Sequence, residues 1–192
     1  MMNVAVGIVL IGYLLGSIPT AVIVSRRVAG VDIRTLGDAN MGARNVSRTL
    51  GWKPAVVVAV VDFAKGFAPV VLAKALGLSL TWQIAAGVAA LLGHDFPLFA
   101  GFRGGQGLAT TLGVLMTLAP GEMVIGLMVY GLLYLLTRNS DLGAGVGIGL
   151  TVLLMVLGGQ PVGLVLATLA MILSIPAKQA LDRPRRMRLQ KM

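Results

Sequence analysis

The sequence predicts an all-α integral membrane protein with seven transmembrane helices, the N-terminus outside and the C-terminus in the cytoplasm. Of its 192 residues, 57% are hydrophobic and only 12% are charged, and the mean hydropathy is +0.90. Soluble domains carry about 25% charged residues, so the composition excludes an ordinary soluble protein. Alternating polar and apolar strands are missing, which favours helical spans over a barrel.

Seven apolar segments divide the chain, and we expect residues 1–192 to form a single polytopic domain with a basic cytoplasmic tail at 178–192. The segments cover 3–25, 54–76, 80–100, 107–119, 121–137, 142–158 and 161–176. One helix across 107–137 would run about 46 Å, too long for a hydrocarbon core of about 30 Å. The pair Pro120-Gly121 therefore divides it, and Gly158-Gly159 with Pro161 separates the last two segments.

The basic residues support this topology. With the N-terminus outside, all but two of the 16 Lys and Arg residues fall in cytoplasmic segments, as the positive-inside rule expects. The net charge of +9 therefore indicates membrane placement rather than a nucleic-acid partner. The tail Arg183-Pro184-Arg185-Arg186-Met187-Arg188 is predicted to be a disordered run that contacts anionic headgroups.

Several kinds of chemistry are excluded by composition. The chain has no cysteine, and His94 is its only histidine, which excludes disulfides, thiolate chemistry and a multi-histidine metal site. We predict no metal and no cofactor. The first apolar run is followed by no cleavage signal, so it is predicted to be a span rather than a removable leader.

A polar, basic, glycine-flanked stretch at 37–51 interrupts the apolar sequence in the longest connection of the chain. If it is helical from about Asn40, then Asn40, Arg44 and Ser47/Arg48 share one face. Two guanidiniums and an amide on one arc suit an oxyanion, because arginine presents a planar fork of donors. The alternative is a basic loop that touches lipid headgroups.

A second stretch on the same predicted face, at 93–107, is rich in glycine. Gly104, Gly105 and Gly107 surround Gln106 after Arg103, at the start of a helix. Converging backbone N–H groups and a helix N-terminus make this a plausible phosphate cradle, although a tight turn at the membrane interface explains the same residues.

Ionisable residues within or at the ends of spans are further candidates for chemistry. His94, beside Asp95 at the end of the third span, is either a general base or a structural histidine that bonds a loop carbonyl. Asp62 and Lys65 share a face of the second span at i, i+3. We interpret them as a buried ion pair that supports the polar loops, with a proton relay or substrate contact as the alternative.

At these two loops the chain resembles the acyl-phosphate:glycerol-3-phosphate acyltransferase family (PlsY), small bacterial inner-membrane enzymes. The first family pattern is met by Asp32, Arg34, Gly37, Asn40, Gly42, Ala43, Asn45, Arg48 and Gly51. The second is met by Gly93, His94, Phe96, Pro97, Phe99, Phe102, Gly104, Gly105, Gly107, Ala109 and Thr110. The chain departs from the family at Asp38, Ala39, Arg44 and Gln106, and the His and Asn that follow the family's last span have no counterpart.

The resemblance implies transfer of a fatty acyl group from acyl phosphate to the 1-hydroxyl of glycerol 3-phosphate, giving lysophosphatidic acid for phospholipid synthesis. With this reaction in view, we predict Asn45, Arg48 and His94 as catalytic residues. The phosphate-binding residues would be Gly37, Asn40, Gly42, Arg44, Arg103, Gly104, Gly105, Gln106 and Gly107. Acyl phosphate and glycerol 3-phosphate would be the partners of a monomer in the bacterial inner membrane.

Two other functions fit the sequence. A homologue that is catalytically degenerate, or altered in its substrates, would keep the phosphate loops and bind phosphorylated lipid. A small transporter would explain Asp62, Lys65 and the glycine-rich helices, with its site near the bilayer midplane.

Overall fold

The computed structural model describes residues 1–189, which form nine α-helices and two short 3-10 turns, at Ile33–Thr35 and Leu98–Ala100. The helices are α1 (Met2–Gly16), α2 (Thr20–Ala29), α3 (Ala43–Leu50), α4 (Trp52–Ala75), α5 (Leu80–Asp95), α6 (Leu108–Leu118), α7 (Pro120–Thr137), α8 (Ser140–Leu157) and α9 (Val162–Leu189).

The prediction of an all-helical integral membrane protein is confirmed. Six helical stretches in the described chain are long and apolar enough to cross a bilayer: Met2–Ala29, Trp52–Ala75, Leu80–Ala100, Pro120–Thr137, Ser140–Leu157 and Val162–Pro184. The fourth predicted segment forms α6, an apolar helix of 11 residues. It is shorter than the roughly 20 residues that an untilted span needs.

The first span is not the continuous helix that we expected over 3–25. It divides into α1 and α2 at Ser17-Ile18-Pro19, because proline lacks an N–H and disfavours helical backbone at the preceding residue. The break leaves the carbonyl of Ile18 accessible to a donor from another helix. Lys65 Nζ donates to this oxygen at 2.6 Å.

Small residues allow α1 to approach α5 closely. A Cβ on Gly12 would lie 2.7 Å from the carbonyl oxygen of Ala86, and one on Gly16 would overlap the carbonyl of Ala90. Such close approach is how helices associate where lipid gives no hydrophobic drive. Next to this pair, α4 contacts α1, α5 and α6.

Both predicted breaks in the second half are confirmed. Helix α6 ends at Leu118 and α7 begins at Pro120, the first-turn position where proline's missing N–H costs nothing. Helix α8 ends at Leu157, and Gly159 adopts a positive φ of 68° before α9.

The basic tail differs from its prediction. The predicted disordered run is instead helical, because α9 continues without a break from the membrane segment to Leu189. The last three residues of the predicted tail, 190–192, lie outside the described residues. Lys178 and Asp182, one turn apart, form an ion pair at 2.6 Å with both side chains buried. This pair stabilises the helical extension itself, and the cation–π contact of Lys178 with Phe96, at 5.3 Å, joins α9 to the residue that follows α5.

Candidate active site

The loop after α2 is organised around Asp32. Its carboxylate accepts the backbone N–H of Arg34 at 3.0 Å and the guanidinium of the same residue at 2.7 Å. The side-chain hydrogen bond from Arg34 lowers the pKa of Asp32 to about 2. Arg26 adds a second ion pair at 3.1 Å, so the carboxylate fixes the end of α2 to the start of the loop.

Arg34, three residues before the first polar stretch, also contacts the second one. Its other terminal nitrogen donates to the carbonyl of Ala100 at 3.2 Å, across 66 positions of the chain. Ala100 also packs against the apolar cluster that contains Met41 and Val46. The loop at 37–51 and the loop at 93–107 therefore meet at one end of the bundle, on one side of it as the sequence predicted.

Asn45 holds the first loop in shape. The side chain is fully buried, and its amide nitrogen donates to the carbonyls of Leu36 and Asn40, both at 3.0 Å. Its amide oxygen accepts the N–H of Asp38 at 3.2 Å. Gly37, at a φ of +58°, passes so close that a Cβ there would overlap this oxygen. Through these contacts Asn45, which the sequence predicts to be catalytic, holds the backbone of the loop before α3.

The expected helical start at Asn40 is wrong. Gly42 has extended backbone and α3 begins at Ala43, so Asn40 lies in the loop before the helix. Its N–H donates to Asp38 Oδ1 at 3.1 Å, and this Asx turn takes the place of a first helical turn. Among the described residues, nothing donates to the buried oxygen of the Asn40 side chain.

Arg44 and Arg48 do lie on one exposed face, one helical turn apart. Each meets a carboxylate: Arg44 pairs with Asp141 at the start of α8 at 3.0 Å, and Arg48 lies 3.9 Å from Asp38. Their side chains are 60% and 58% exposed. Exposed pairs of this kind contribute about 0–1 kcal/mol, so an incoming phosphate can replace either carboxylate.

The glycine loop packs directly on the end of α5. The N–H of Gly105 donates to the carbonyl of His94 at 3.1 Å. A Cβ on Gly104 would overlap that carbonyl, and one on Gly105 would overlap the imidazole at Nε2. Gly107 has a φ of +72° immediately before α6. Only glycine at these positions lets the backbone lie against His94 while α6 begins beside it.

The other side of the His94 ring faces a buried polar network. His94 Nδ1 lies 3.7 Å from Asp62 Oδ1, and Lys65 Nζ lies 2.6 Å from the same oxygen. The hydroxyl of Thr110 donates to the Asp62 carbonyl at 3.0 Å. The buried ion pair predicted for Asp62 and Lys65 is confirmed, and it ties α4 to α6 and, through Ile18, to the break between α1 and α2.

The remaining residues of the second loop face outward. Arg103 is exposed, and Gln106 is half-buried. The side-chain oxygen of Gln106 accepts Gln179 Nε2 at 3.2 Å, so α9 completes this side of the site. The Gln179 contact spans 73 positions, and no pattern in the sequence predicts it.

An apolar cavity of about 180 Å³ begins beside the site and runs into the bundle between α6, α7 and α8. Leu108, the first residue of α6, and Ser140, the first residue of α8, lie at the end next to the loops. Met123, Gly126 and Thr151 lie at the far end. A lipid-like chain that starts at the glycine loop has this space available to it.

Fold and site together define a multi-pass membrane protein in which two phosphate-compatible loops meet at the mouth of an apolar cavity. The family model described as glycerol-3-phosphate acyltransferase matches residues 6–185. The chain belongs to this family and is a membrane glycerol-3-phosphate acyltransferase of phospholipid synthesis, as the sequence predicted.

Relatives and solved structures agree with this assignment. A glycerol-3-phosphate acyltransferase of Anaeromyxobacter dehalogenans (strain 2CP-C) is 46% identical over 143 residues, 72% of this chain and 71% of the relative. One of Geobacter metallireducens is 51% identical over 113 residues, 59% of this chain and 58% of the relative.

Two crystal structures of PlsY, an integral membrane glycerol 3-phosphate acyltransferase, superpose on this chain. The glycerol 3-phosphate form has a TM-score of 0.83 at 33% identity and covers 95% of this chain and 92% of that one. The lysophosphatidic acid form has a TM-score of 0.81 at 33% identity and covers 95% of this chain and 91% of that one. The transporter and degenerate-homologue alternatives are not favoured.

Proposed function

We propose that the acyl donor is an acyl phosphate and that both substrates bind where the two loops meet. The observation that carries this proposal is the Arg34–Ala100 hydrogen bond, which keeps two anion-compatible loops side by side. Each substrate carries a phosphate group, so two separate cationic or N–H-rich positions are needed. The adjoining cavity is apolar, as the donor's hydrocarbon tail requires.

Arg48 and Arg44 are assigned to the phosphate of glycerol 3-phosphate. Both guanidiniums are exposed on one face of α3, and each holds only a weak exposed carboxylate partner. Asn40 and Gly42, directly before this helix, lie where the glycerol would reach the helix N-terminus. The unused side-chain oxygen of Asn40 can accept a hydrogen bond from a glycerol hydroxyl.

The donor's phosphate is assigned to the Gly104–Gly107 loop, Gln106 and Arg103. The 1-hydroxyl oxygen of glycerol 3-phosphate attacks the donor's carbonyl carbon, the bond from that carbon to the phosphate oxygen breaks, and the hydroxyl proton leaves on the released inorganic phosphate. The protein then needs no base of its own, and orientation and charge stabilisation supply the catalysis. His94 and Asn45 act through the loops that they position.

The same proposal places the chain in the bacterial cytoplasmic membrane as a monomer, with α6 as its seventh span and the N-terminus outside. The accumulation of Lys and Arg on the loop-bearing side supports this orientation through the positive-inside rule.

The test uses the purified full-length protein in lipid with glycerol 3-phosphate and either palmitoyl phosphate or palmitoyl-CoA. We expect lysophosphatidate and an equal amount of inorganic phosphate with the acyl phosphate only. Product formed from the CoA ester alone would overturn the donor assignment. No product with either donor, from protein that is folded by circular dichroism, would overturn the acyl-transfer proposal for this site.

A further inference from the structure

A groove of about 740 Å³ lies on the outer surface of the bundle where α2 ends and α4 begins. Its lining combines three valines with two cations and a tryptophan: Val24, Val28, Val57, Arg27, Lys53 and Trp52. The proposed acyl-transfer reaction uses none of these residues. The core formed by α2, α3 and α4 lies beneath the groove, so binding there leaves the fold undisturbed.

The two cations in this groove differ from their neighbours. The other four arginines between positions 26 and 48 each meet a carboxylate at 3.9 Å or less. Arg27 and Lys53 form no ion pair with a carboxylate in residues 1–189, and both are exposed. Two uncompensated cations that face one groove leave it with a net positive charge.

The start of α4 adds to that charge. No side chain caps this 24-residue helix, and its first turn contains no acidic residue. The N-terminus of a helix carries a partial positive charge and free N–H groups. Gly51, just before it, has open space where a Cβ would stand, so an anion can approach the helix end beside Lys53.

The rest of the groove is apolar and continues along the bundle surface. Val28 is 61% exposed, Val57 is 50% exposed and Trp52 is 68% exposed. The Trp52 ring lies 5.9 Å from Lys53 Nζ. A tryptophan with adjacent cations is typical of the level at which lipid headgroups meet acyl chains.

We propose that this groove binds an anionic phospholipid of the bilayer. Its phosphate lies between Arg27, Lys53 and the N-terminus of α4, and an acyl chain follows the valines. The charge selects an anionic over a zwitterionic lipid, because a basic pocket at the membrane surface gains about 1 kcal/mol from each cation. Leu50, the last residue of α3, also lines the groove, so the bound lipid contacts the helix that carries Arg48.

The chain contains only two tryptophans, Trp52 and Trp82, which makes a direct test available. The Trp82→Phe protein is reconstituted in phosphatidylcholine vesicles that contain either brominated phosphatidylglycerol or brominated phosphatidylcholine at equal mole fraction. We expect brominated phosphatidylglycerol to quench Trp52 more strongly. Equal quenching by the two lipids would overturn the proposal.

Matched substitutions separate a local site from general attraction to a charged surface. Lys53→Gln and Arg27→Gln are expected to lower the preference for phosphatidylglycerol about fivefold each. Lys74→Gln removes one exposed charge at the other end of α4 and should leave the preference unchanged. An equal loss in all three variants would contradict the site.

A second measurement avoids the tryptophan replacement. In mixed micelles, phosphatidylglycerol should raise the unfolding temperature of the unmodified protein more than phosphatidylcholine does. Lys53→Gln should remove that difference, and a difference that survives in Lys53→Gln would overturn the assignment. Neither measurement depends on turnover, so this proposal and the proposed acyl transfer can fail separately.

Discussion

Lys65 Nζ lies 2.6 Å from Asp62 Oδ1, and the two side chains are 4% and 3% exposed inside the helical bundle. The two residues lie one turn apart on α4, so each compensates the charge of the other. An uncompensated charge would be costly inside the bilayer. His94 contacts the same carboxylate, which links the ion pair to the glycine loop above it.

Removal of one partner of this pair should destabilise the protein severely. Lys65→Met leaves the Asp62 carboxylate buried without compensation, at a cost of about 3–5 kcal/mol. The double variant Asp62→Asn/Lys65→Met should recover much of that loss. Unfolding in detergent measures each free energy, with exposed Lys74→Met as the control. Additive losses in the double variant would show that the two residues are not coupled.

The pH dependence of stability should report on Asp32. Its pKa in the folded protein is about 2, below the ordinary value of 3.8, chiefly because Arg34 donates to it. A depressed pKa stabilises the folded state above the ordinary value, and the contribution disappears as the pH falls through the folded value. The native protein should therefore be more stable than Asp32→Asn by a constant amount above about pH 4. This difference in the free energy of unfolding should shrink as the pH falls toward about 2.

Thermal unfolding in detergent at about pH 6 and about pH 3 measures this difference. Asp141→Asn is the matched control, because its carboxylate is 78% exposed in the pair with Arg44 and should contribute little at either pH. A gap between native and Asp32→Asn protein that does not narrow at the lower pH would contradict the assigned role of Asp32.

Features with a local cause could be predicted from the sequence. Pro120 ends the preceding helix through its own backbone geometry. The i, i+3 spacing of Asp62 and Lys65 places both side chains on one face of any helix that contains them. Resemblance to family patterns identified both loops, and composition identified the membrane class.

Features that depend on distant contacts could not be predicted. Arg44 meets Asp141 across 97 positions. The Asn45 amide bonds four backbone groups between positions 33 and 40, in an irregular loop whose shape no helix or strand period indicates. The helical extension of α9 contains the contacts of Lys178 with Asp182 and Phe96. The basic composition of the tail does not indicate these contacts.

Gly105→Ala should reduce turnover strongly without unfolding the protein. The added methyl group would overlap the His94 imidazole, so the loop must move, and a displacement of about 1 Å in a positioned site can cost about 100-fold in rate. The variant is compared with Gly121→Ala, where a Cβ meets nothing within 4 Å. Unchanged kcat in folded Gly105→Ala protein would show that the glycine loop does not position substrate.

The apolar cavity should determine which acyl chains react. Ile148 lines it about 12 Å beyond Ser140, at 1.5 Å per residue of helix. Ile148→Phe fills the deeper half, so kcat/KM for palmitoyl phosphate should fall about tenfold relative to lauroyl phosphate. Val146→Phe adds a ring on the exposed side of the same helix and should leave the ratio unchanged. If the ratio of kcat/KM for the two donors is unchanged in Ile148→Phe, the acyl chain of the donor does not bind in this cavity.

Asp38 should weaken the binding of glycerol 3-phosphate, because its carboxylate lies 3.9 Å from the guanidinium of Arg48. Asp38→Asn keeps an oxygen for the Asn40 N–H and removes the negative charge. A unit charge at about 4 Å in water contributes about 1 kcal/mol, so KM should fall about fivefold with kcat nearly constant.

Arg48→Ala should shift the KM for glycerol 3-phosphate in the opposite direction from Asp38→Asn, because it removes the cation itself. Glu122→Gln removes one negative charge at the start of α7, beside the far end of the apolar cavity, and should change nothing. Steady-state rates against glycerol 3-phosphate concentration, at saturating acyl phosphate, separate KM from kcat. If KM in Arg48→Ala stays at the native value, the phosphate of glycerol 3-phosphate does not bind at α3.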